Sequence, residues 1–425
     1  MVVAAIAHGR GTALKELLAS MNVRPGLCDP TNELLPFALF ERLHVARLLI
    51  VDDPTLGDLT AYGEQRPKLP VYLVFMGDCD GDAHGFLREM AERAAVGLGR
   101  IFSCCEGFAA AGSLAEWLVA HDQRVHARYV NRIGRTVLQV HEERALQRAL
   151  SAQVPRDPFA PHADPLALCS VLRDFVAAEQ RAGRLTLTPA APTPFAWRLW
   201  NLAHAIGIPL LGLVVAPLLI LFSPLLVYLL RSRETADPVI AERPSAASLA
   251  QLQSLEDHDV TNPLSATGAI KPGLFRRLLV TAALTLLDYA CRHVFYRGHL
   301  MRLQTLHFAH WAFLDDKTRL VFASHYDGSL DSHIDDVVNK VARGVNLVFG
   351  NVVGYPRTDW LVKGGARREQ AFKAYVRRHQ LPTQVGYKAY PGLTVVDLLR
   401  NTRIRRGLER TGMSEREARE WLSLL

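Results

Sequence analysis

The chain contains two stretches that align with each other without a gap, LVFMGDCDGDAHGFLREMAERAAVGLGRIFSCCEGF (residues 73–108) and LVFASHYDGSLDSHIDDVVNKVARGVNLVFGNVVGY (residues 320–355). The match extends upstream, where LHVARLLIVDD from Leu43 aligns with LHFAHWAFLDD from Leu306. Downstream, Tyr129 matches Tyr387, and Gly134-x-Thr136-Val137 matches Gly392-x-Thr394-Val395. Self-similarity over this length indicates an internal duplication. We therefore expect two related folded units.

Within each copy, apolar residues first recur at every second position and then at about every three and a half positions. This change predicts two strands followed by a helix. In the second copy the predicted elements are strands over Phe308–Leu314 and Leu320–His325, a helix capped by Ser329 or Asp331, a helix from Ala366 and a strand from Thr383. Helices then cover one face of each sheet, and the other apolar face needs a partner. The sequence predicts an α+β protein whose two copies pack as an intramolecular pseudo-dimer.

Composition narrows the classes of function. The 425 residues are 49% hydrophobic and 21% charged, which is typical of a folded chain, and the net charge of +7 favours anionic surfaces only weakly. The six cysteines show no C-x-x-C pair, so we expect reduced thiols. Motifs for nucleotide hydrolysis, serine esterases and zinc proteases are absent from the sequence.

A long apolar segment separates the two copies. It carries no formal charge from Leu202 to Leu230, and its length is that of a membrane-inserted element. Prolines recur at Pro209, Pro217 and Pro224. Each proline removes a backbone donor and favours a kink, so one tilted span and a bent, re-entrant hairpin both fit the pattern.

The duplication favours the hairpin, because two halves that share one cavity must lie on the same side of a membrane. We expect the segment to bend near Pro217. Without a signal peptide, both halves are expected at the cytoplasmic face of the inner or plasma membrane.

The sequence thus divides into six regions. These are a first ferredoxin-like repeat (1–150), a connecting helix and linker (151–195), a membrane-inserted segment (196–233), a flexible linker (234–273), an amphipathic interfacial helix (274–300) and a second ferredoxin-like repeat with C-terminal helices (301–425). For residues 274–300, a buried helix that docks the two soluble parts fits the pattern equally well.

The duplicated order of elements resembles the dimeric α/β-barrel group of ferredoxin-like folds, in which two sheets face each other around a cavity. One branch, the dye-decolourising peroxidases, carries a G-x-x-D-G motif whose acid acts on the distal side of a haem. Residues 77–81, GDCDG, are similar to this motif, and residues 324–328, SHYDG, lack its first glycine. The resemblance implies a haem, with Asp80 and Asp327 as candidate catalytic acids; turn and helix-cap chemistry is the alternative role for both.

The two copies differ at positions that their common fold does not require. The second copy has His310 in place of Arg47, His325 in place of Asp78, His333 in place of Phe86 and Asn351 in place of Cys104. A neutral imidazole on a partly apolar helix is a plausible axial haem ligand, so His333 is the predicted metal ligand. His325, His310 and Asn351 are further cofactor-binding candidates, and core or helix-cap histidines are the alternative interpretation.

Arg357 follows a Gly-Tyr-Pro turn and is a candidate for neutralising an anion or a bound peroxide, or else a solvated loop arginine. The leading hypothesis is a membrane-attached protein that holds haem or a hydrophobic ligand for peroxidase-like or oxygenase-like oxidation of a lipid-soluble substrate. The alternative is a non-catalytic, membrane-associated binding or scaffold module. Expected partners are membrane lipids, a hydrophobic small molecule and a second copy of the chain, but not nucleic acid.

Overall fold

The computed structural model describes residues 1–110, 112–154, 164–240, 242–296, 298–410 and 412–425. Its strands are β1 Val2–Ala5, β2 Asn22–Arg24, β3 Leu27–Cys28, β4 Leu43–Val51, β5 Tyr72–Cys79, β6 Ala127–Val130, β7 Thr261–Ala269, β8 Leu306–Leu314, β9 Arg319–Asp327, β10 Thr358–Asp359, β11 Lys363–Gly364 and β12 Thr383–Lys388. The strands and the helices between them confirm a mixed α+β protein.

Its helices are α1 Gly11–Ala19, α2 Ala83–Arg93, α3 Ala95–Phe102, α4 Leu114–Ala120, α5 Val137–Ser151, α6 Pro165–Arg181, α7 Phe195–Leu221, α8 Ser223–Ala236, α9 Ala246–Gln253, α10 Leu274–His293, α11 Leu330–Asp336, α12 Ala342–Phe349, α13 Glu369–His379, α14 Val395–Glu409 and α15 Glu415–Leu422. A π-helical turn, Val337–Val341, joins α11 to α12. The predicted cap of α11 is confirmed at Ser329, whose side chain accepts from the Ser332 amide.

Two four-stranded antiparallel sheets carry the fold, with strand orders β1-β5-β4-β12 and β6-β8-β9-β7. The last strand of each half lies in the sheet of the other half, since β6 pairs with β8 and β12 pairs with β4. The exchange is symmetric: Tyr129 lies opposite Ala309, and Tyr387 lies opposite Ala46. The strand from Thr383, predicted as part of the second copy, thus completes the sheet of the first half, and the described strands form open sheets rather than a closed barrel.

The inner faces of the two sheets pack against each other, as a pseudo-dimer requires. Leu49, Val74 and Met76 of the first sheet share a buried apolar cluster with Leu314 and Val321 of the second. Side chains fill this interface, where the resemblance implied a shared cavity. Helices α2 and α3 cover the outer face of the first sheet, and α10 to α13 cover that of the second.

The region predicted to be a flexible linker, residues 234–273, contains ordered elements instead. It includes α9 and β7, and β7 pairs with β9 along all of its length. Helix α10 buries Val280 and Leu284 in the core of the second half, whereas Leu278 and Leu286 remain exposed. This burial favours the docking-helix interpretation for one face of α10. In the predicted connecting region (151–195), residues 155–163 lie outside the described ranges. The helix of this region, α6, packs on α15.

Helix α7 is long and apolar enough to cross a membrane, and it is the one such helix in the described part of the chain. None of its residues is buried. The helix runs through Pro217 and ends at Leu221, so the expected bend near Pro217 is wrong. The interruption falls at Phe222, next to the first turn of α8, where Pro224 leaves a backbone acceptor without its usual donor.

The apolar segment leaves the second half and returns to it. Near its start, His204 hydrogen-bonds to His293 and the Tyr289 hydroxyl donates to the Ala205 carbonyl, both at the end of α10. At its end, Asp237 pairs with Arg276 in the first turn of α10. The 20 residues of α10 span about 30 Å. Both ends of the segment are therefore attached to one body.

Candidate functional site

A cavity of about 110 Å³ lies between the outer face of the second sheet and the helices that cover it. The sheet contributes Leu264, Trp311 and Phe322, and the helices contribute mainly aliphatic side chains, Ile334 and Val345 among them. An engineered cavity of about 150 Å³ with a similar lining stays dry and binds benzene or xenon. The space is therefore suited to a small apolar molecule.

The cavity exists because the covering helix is irregular and its side chains are short. The π-helical turn replaces a regular helical turn, and the backbone of Val341 leaves helical geometry with φ −133°. Single π turns are frequent at functional sites. β-Branched valines at 337, 341 and 345 line the space without filling it.

His333 brings a polar atom into this apolar lining. It lies on α11, is buried, and stacks on Tyr326 with ring centroids 4.2 Å apart. Its Nδ1 has no hydrogen-bond partner in the described part of the chain. Burial lowers the pKa of His333 to about 4, although Asp336 and Asp327 oppose the shift. The imidazole is therefore neutral at pH 7.

His379, on α13, is a second buried imidazole at the cavity, and the sequence analysis missed it. Its Nδ1 donates to the Tyr375 carbonyl at 2.9 Å, because a carbonyl oxygen can only accept. Burial holds the pKa of His379 well below its ordinary value. In the neutral ring Nε2 is then an acceptor. The Val353 backbone lies close to the ring, and Nε2 forms no hydrogen bond of ordinary geometry within the described residues. The apolar spacing of Phe372, Tyr375 and Val376 is the signal that places residue 379 on the buried face.

Three residues of the lining, Trp311, His333 and His379, carry a buried side-chain nitrogen that has no hydrogen-bond partner within the described residues. A buried polar group without a hydrogen bond destabilises a fold by roughly 1–3 kcal/mol. Most such groups in folded proteins are paired. These nitrogens have almost no accessible surface, so a molecule in the cavity meets an almost wholly apolar lining.

The fit of a haem to this site is partial. His379 has the orientation of a metal-ligating histidine, whose other ring nitrogen donates to a backbone carbonyl. The cavity, however, is well below the roughly 300 Å³ at which pockets for larger ligands begin. None of its lining side chains is a lysine or an arginine that would pair with propionates. In this conformation the cavity does not fit a haem.

His325 and His310 lie on the other side of the second sheet, in the interface between the sheets. His310 Nε2 is 3.0 Å from Asp78 Oδ1. Arg47 donates to His325 Nδ1 at 2.9 Å and to the carbonyl oxygens of Leu264 and Ser324. Burial and the Arg47 charge hold the pKa of His325 far below its ordinary value. The sheet therefore separates both residues from the cavity.

Asp80 and Asp327 occupy equivalent positions and cap helices. Asp80 bonds His44 Nε2 at 3.0 Å and accepts from the Val137 amide at the start of α5. Asp327 bonds His307 Nε2 at 2.7 Å and accepts from the Val395 amide at the start of α14. Both carboxylates thus use their oxygens in the fold, and neither lines the cavity.

Asn351 and Arg357 also lie away from the cavity. Asn351 is buried after α12, where its amide group donates to the Leu347 carbonyl and its oxygen faces Arg276. Arg357 donates to the carbonyl oxygens of Thr235 and Asp237. Of the seven candidate site residues, the structure brings only His333 to the cavity.

No protein-family model, no curated protein and no solved structure matches this chain. A functional interpretation therefore depends on the geometry of the site.

Proposed function

We propose that this chain is a membrane-associated binding protein whose second half holds a small apolar molecule in the cavity beside His333 and His379. The supporting observation is the cavity itself, whose lining surface is almost wholly apolar and contains no lysine, arginine, aspartate or glutamate. Ligand binding would desolvate no charge there, because both imidazoles are neutral at pH 7.

Membrane association is supported by the exposed apolar helix α7 and by its attachment at both ends. A large exposed apolar surface on a folded protein marks a contact with lipid or with a partner. Since the segment leaves and re-enters one body, it enters the bilayer as a bent element, and both halves lie on one side, which we propose is the cytoplasmic face. The exposed Leu278 and Leu286 of α10 add to this surface.

We also propose that the halves are duplicated ferredoxin-like units. Each half has the strand, helix, strand, strand, helix, strand order of that unit, to which the first half adds the small β2–β3 hairpin after α1. The equivalent helices α5 and α14 both begin with a capping box, at Thr136 and Thr394. The relation to dye-decolourising peroxidases has weaker support, because Asp80 and Asp327 cap helices.

A haem and peroxidase-like or oxygenase-like chemistry require this cavity to widen. The structural use of Asp80, Asp327 and His325 favours the non-catalytic alternative over the oxidative one. Absorption spectroscopy of the purified chain separates them, since a Soret band that is lost in His379→Ala or His333→Ala would establish haem binding.

Quenching of Trp311 by bromobenzene tests the apolar site, because Trp311 lines the cavity and bromine quenches indole fluorescence on contact. The full chain is reconstituted in phosphatidylcholine nanodiscs. Part of the quenching should disappear in Trp311→Phe. This part, the Trp311 component, comes from the cavity, whereas the remainder comes from tryptophans that contact lipid. We expect saturable quenching of this component.

The matched variants use residues of the first half. His333→Phe with Val337→Met introduces the residues found at the equivalent positions Phe86 and Met90, and we expect it to abolish the Trp311 component. Val338→Met, which adds the same side chain beside the cavity but outside its lining, should leave the component unchanged. Equal quenching in the filled variant, or no Trp311 component at all, would overturn the proposal.

A further inference from the structure

A second concave surface adjoins the apolar cavity. It is a groove of about 590 Å³ between α13 and residues 238–240 and 242–244, which follow α8. Ile334, Tyr375 and His379 line both the groove and the cavity. A single layer of side chains therefore separates an apolar space from an aqueous one.

The groove is lined by more basic than acidic side chains. Its lining includes two carboxylates, Glu242 and Asp331, and six basic side chains, Arg243, Arg357, Arg368, Lys373, Arg377 and Arg378. An excess of one sign in a concave site concentrates ions of the opposite sign. An anion is therefore favoured beside those basic side chains that have no acidic partner.

Half of these basic side chains already have acidic partners. Arg377 pairs with Glu256, and Arg378 pairs with Asp58 and Glu242. Lys373 pairs with Asp335 and Glu369.

The other three, Arg243, Arg357 and Arg368, form no ion pair with any carboxylate in the described ranges of the chain. Arg357 contacts only backbone carbonyl oxygens, and Arg368 and Arg243 are exposed. These three cations can each bind an anionic group without first breaking a salt bridge.

The position of the groove relates it to the apolar segment. Arg357 donates to the Thr235 and Asp237 carbonyls at the end of α8. Close by, Glu234 of α8 accepts from the Trp360 and Leu361 amides. The groove thus opens where the segment that we propose enters the membrane rejoins the body, and basic side chains beside such a segment can bind anionic headgroups.

We propose that the bound molecule is a single-chain amphiphile, with its apolar chain end in the cavity and an anionic headgroup, a carboxylate or a phosphate monoester, among Arg243, Arg357 and Arg368. This inference rests on the proposed apolar site and adds the chemical class of its ligand. Chain and head must pass between Ile334, Tyr375 and His379, the side chains common to both spaces.

The test compares ω-bromooctanoic acid with ω-bromooctanol in the nanodisc-reconstituted full chain, read by the Trp311 component of quenching. The two probes share a bromine at the chain end and differ only in head charge. We expect the acid to bind about tenfold more tightly at low salt, and the difference to shrink in high salt because exposed charges are screened.

The variant Arg357→Gln with Arg368→Gln should remove most of this preference and leave the affinity for the alcohol unchanged. Arg88→Gln, an exposed arginine of the first half, serves as the matched control and should retain the preference. Inorganic phosphate alone, at a concentration equal to that of the acid, should not displace it, since phosphate lacks the chain.

The outcomes separate the two proposals. If neither probe quenches Trp311, the apolar site and the headgroup inference both fail. If both probes bind equally well and the arginine variants have no effect, the cavity stands and the headgroup inference is overturned. If inorganic phosphate displaces the acid as well as the acid itself does, the groove is a site for free anions and the amphiphile is excluded.

Discussion

The outer cores of the two halves follow one plan and differ in how completely they are filled. In the first half Phe86 packs edge-on against Phe40, and the Arg42 guanidinium lies over its ring. At the equivalent position in the second half, His333 stacks on Tyr326 and leaves Nδ1 unpaired beside a cavity. Since the first half builds the same layer with phenylalanine, the fold itself requires neither the imidazole nor the space.

The covering helices show the same contrast. Both break at equivalent positions, Ala94 with φ −126° and Val341 with φ −133°. This break therefore belongs to the shared architecture. The π turn that precedes Val341 has no counterpart in α2, which remains α-helical up to Arg93. The irregularity specific to the second half is the one that borders the cavity.

The interface between the sheets also combines symmetry with difference. Arg47 bonds His325, and at the equivalent place His310 bonds Asp78. Burial lowers the pKa of Arg47 to about 9, which leaves it cationic at pH 7. Burial alone would raise the pKa of Asp78, but His310 and Arg128 outweigh it and hold that pKa below its usual value.

The largest expected effect concerns this interface. Arg47→Ala should lower the free energy of unfolding by about 3–5 kcal/mol, because it leaves the acceptors at Leu264, Ser324 and His325 buried and unpaired. Urea denaturation measures the change. Arg42→Ala, which breaks a half-exposed pair with Glu89, should lose less than about 1 kcal/mol. Equal losses would show that the interface does not depend on Arg47.

Phe86→His brings the residue of the second half into the first. We expect a loss of about 2–4 kcal/mol, since a filled core loses apolar contacts and gains an unpaired nitrogen. Phe108→His is the control, because Phe108 lies at the half-buried edge of the same core. It should lower the free energy of unfolding by less than Phe86→His does. A small loss at Phe86 would mean that the two cores do not differ as the structure indicates.

The reverse exchange, His333→Phe, should stabilise the protein by about 1–3 kcal/mol at pH 7. The unfolded chain protonates this histidine below its ordinary pKa of 6.5, whereas the folded chain does so only near pH 4. The native protein therefore loses stability as the pH falls through this window, by up to about 1.4 kcal/mol per pH unit for this group.

In His333→Phe that part of the pH dependence should disappear, so unfolding free energies measured from pH 7 to pH 4 should fall less steeply. His8→Phe, an exposed histidine, should retain the native slope. An unchanged slope in His333→Phe would contradict the burial of a neutral imidazole at this site.

The smallest effects are expected at the two capping carboxylates. Asp327→Asn should lower the free energy of unfolding by about 1–2 kcal/mol, and Asp80→Asn should lower it by about 1 kcal/mol or less. Each substitution weakens a hydrogen bond to a histidine and a helix cap. The Asp327 side chain is the less exposed of the two, at 9% against 24%. Thermal unfolding of both variants measures which one loses more stability. A larger loss of stability in Asp80→Asn would contradict this prediction.

Local signals in the sequence predicted much of the second half. The alternating pattern located β8 and β9, and the turn chemistry located the cap at Ser329. Strand β7, TNPLSATGA, was read as a linker because its small and polar residues resemble one. Its identity as a strand depends on pairing with β9, a partner distant in the chain.

The candidate site was predicted in part for the same reason. Replacement of Phe86 by a histidine in the second copy identified His333 from sequence alone. The same comparison also selected His325 and His310 as candidates. The alternation of side chains along a strand does not show which face of the sheet will contact the other half. His379 has no counterpart in the aligned stretches, so the comparison could not find it.

By itself, the sequence determined the duplication, the α+β class and the apolar segment, since periodicity, turn residues and hydrophobic length act over neighbouring residues. Only the tertiary structure decided the exchange of β6 and β12 between the sheets and the set of imidazoles left unpaired. Strand exchange and hydrogen-bond pairing depend on groups that are far apart in the chain. His379 Nε2 is left as an acceptor because Nδ1 is held by Tyr375, and it forms no hydrogen bond of ordinary geometry within the described residues.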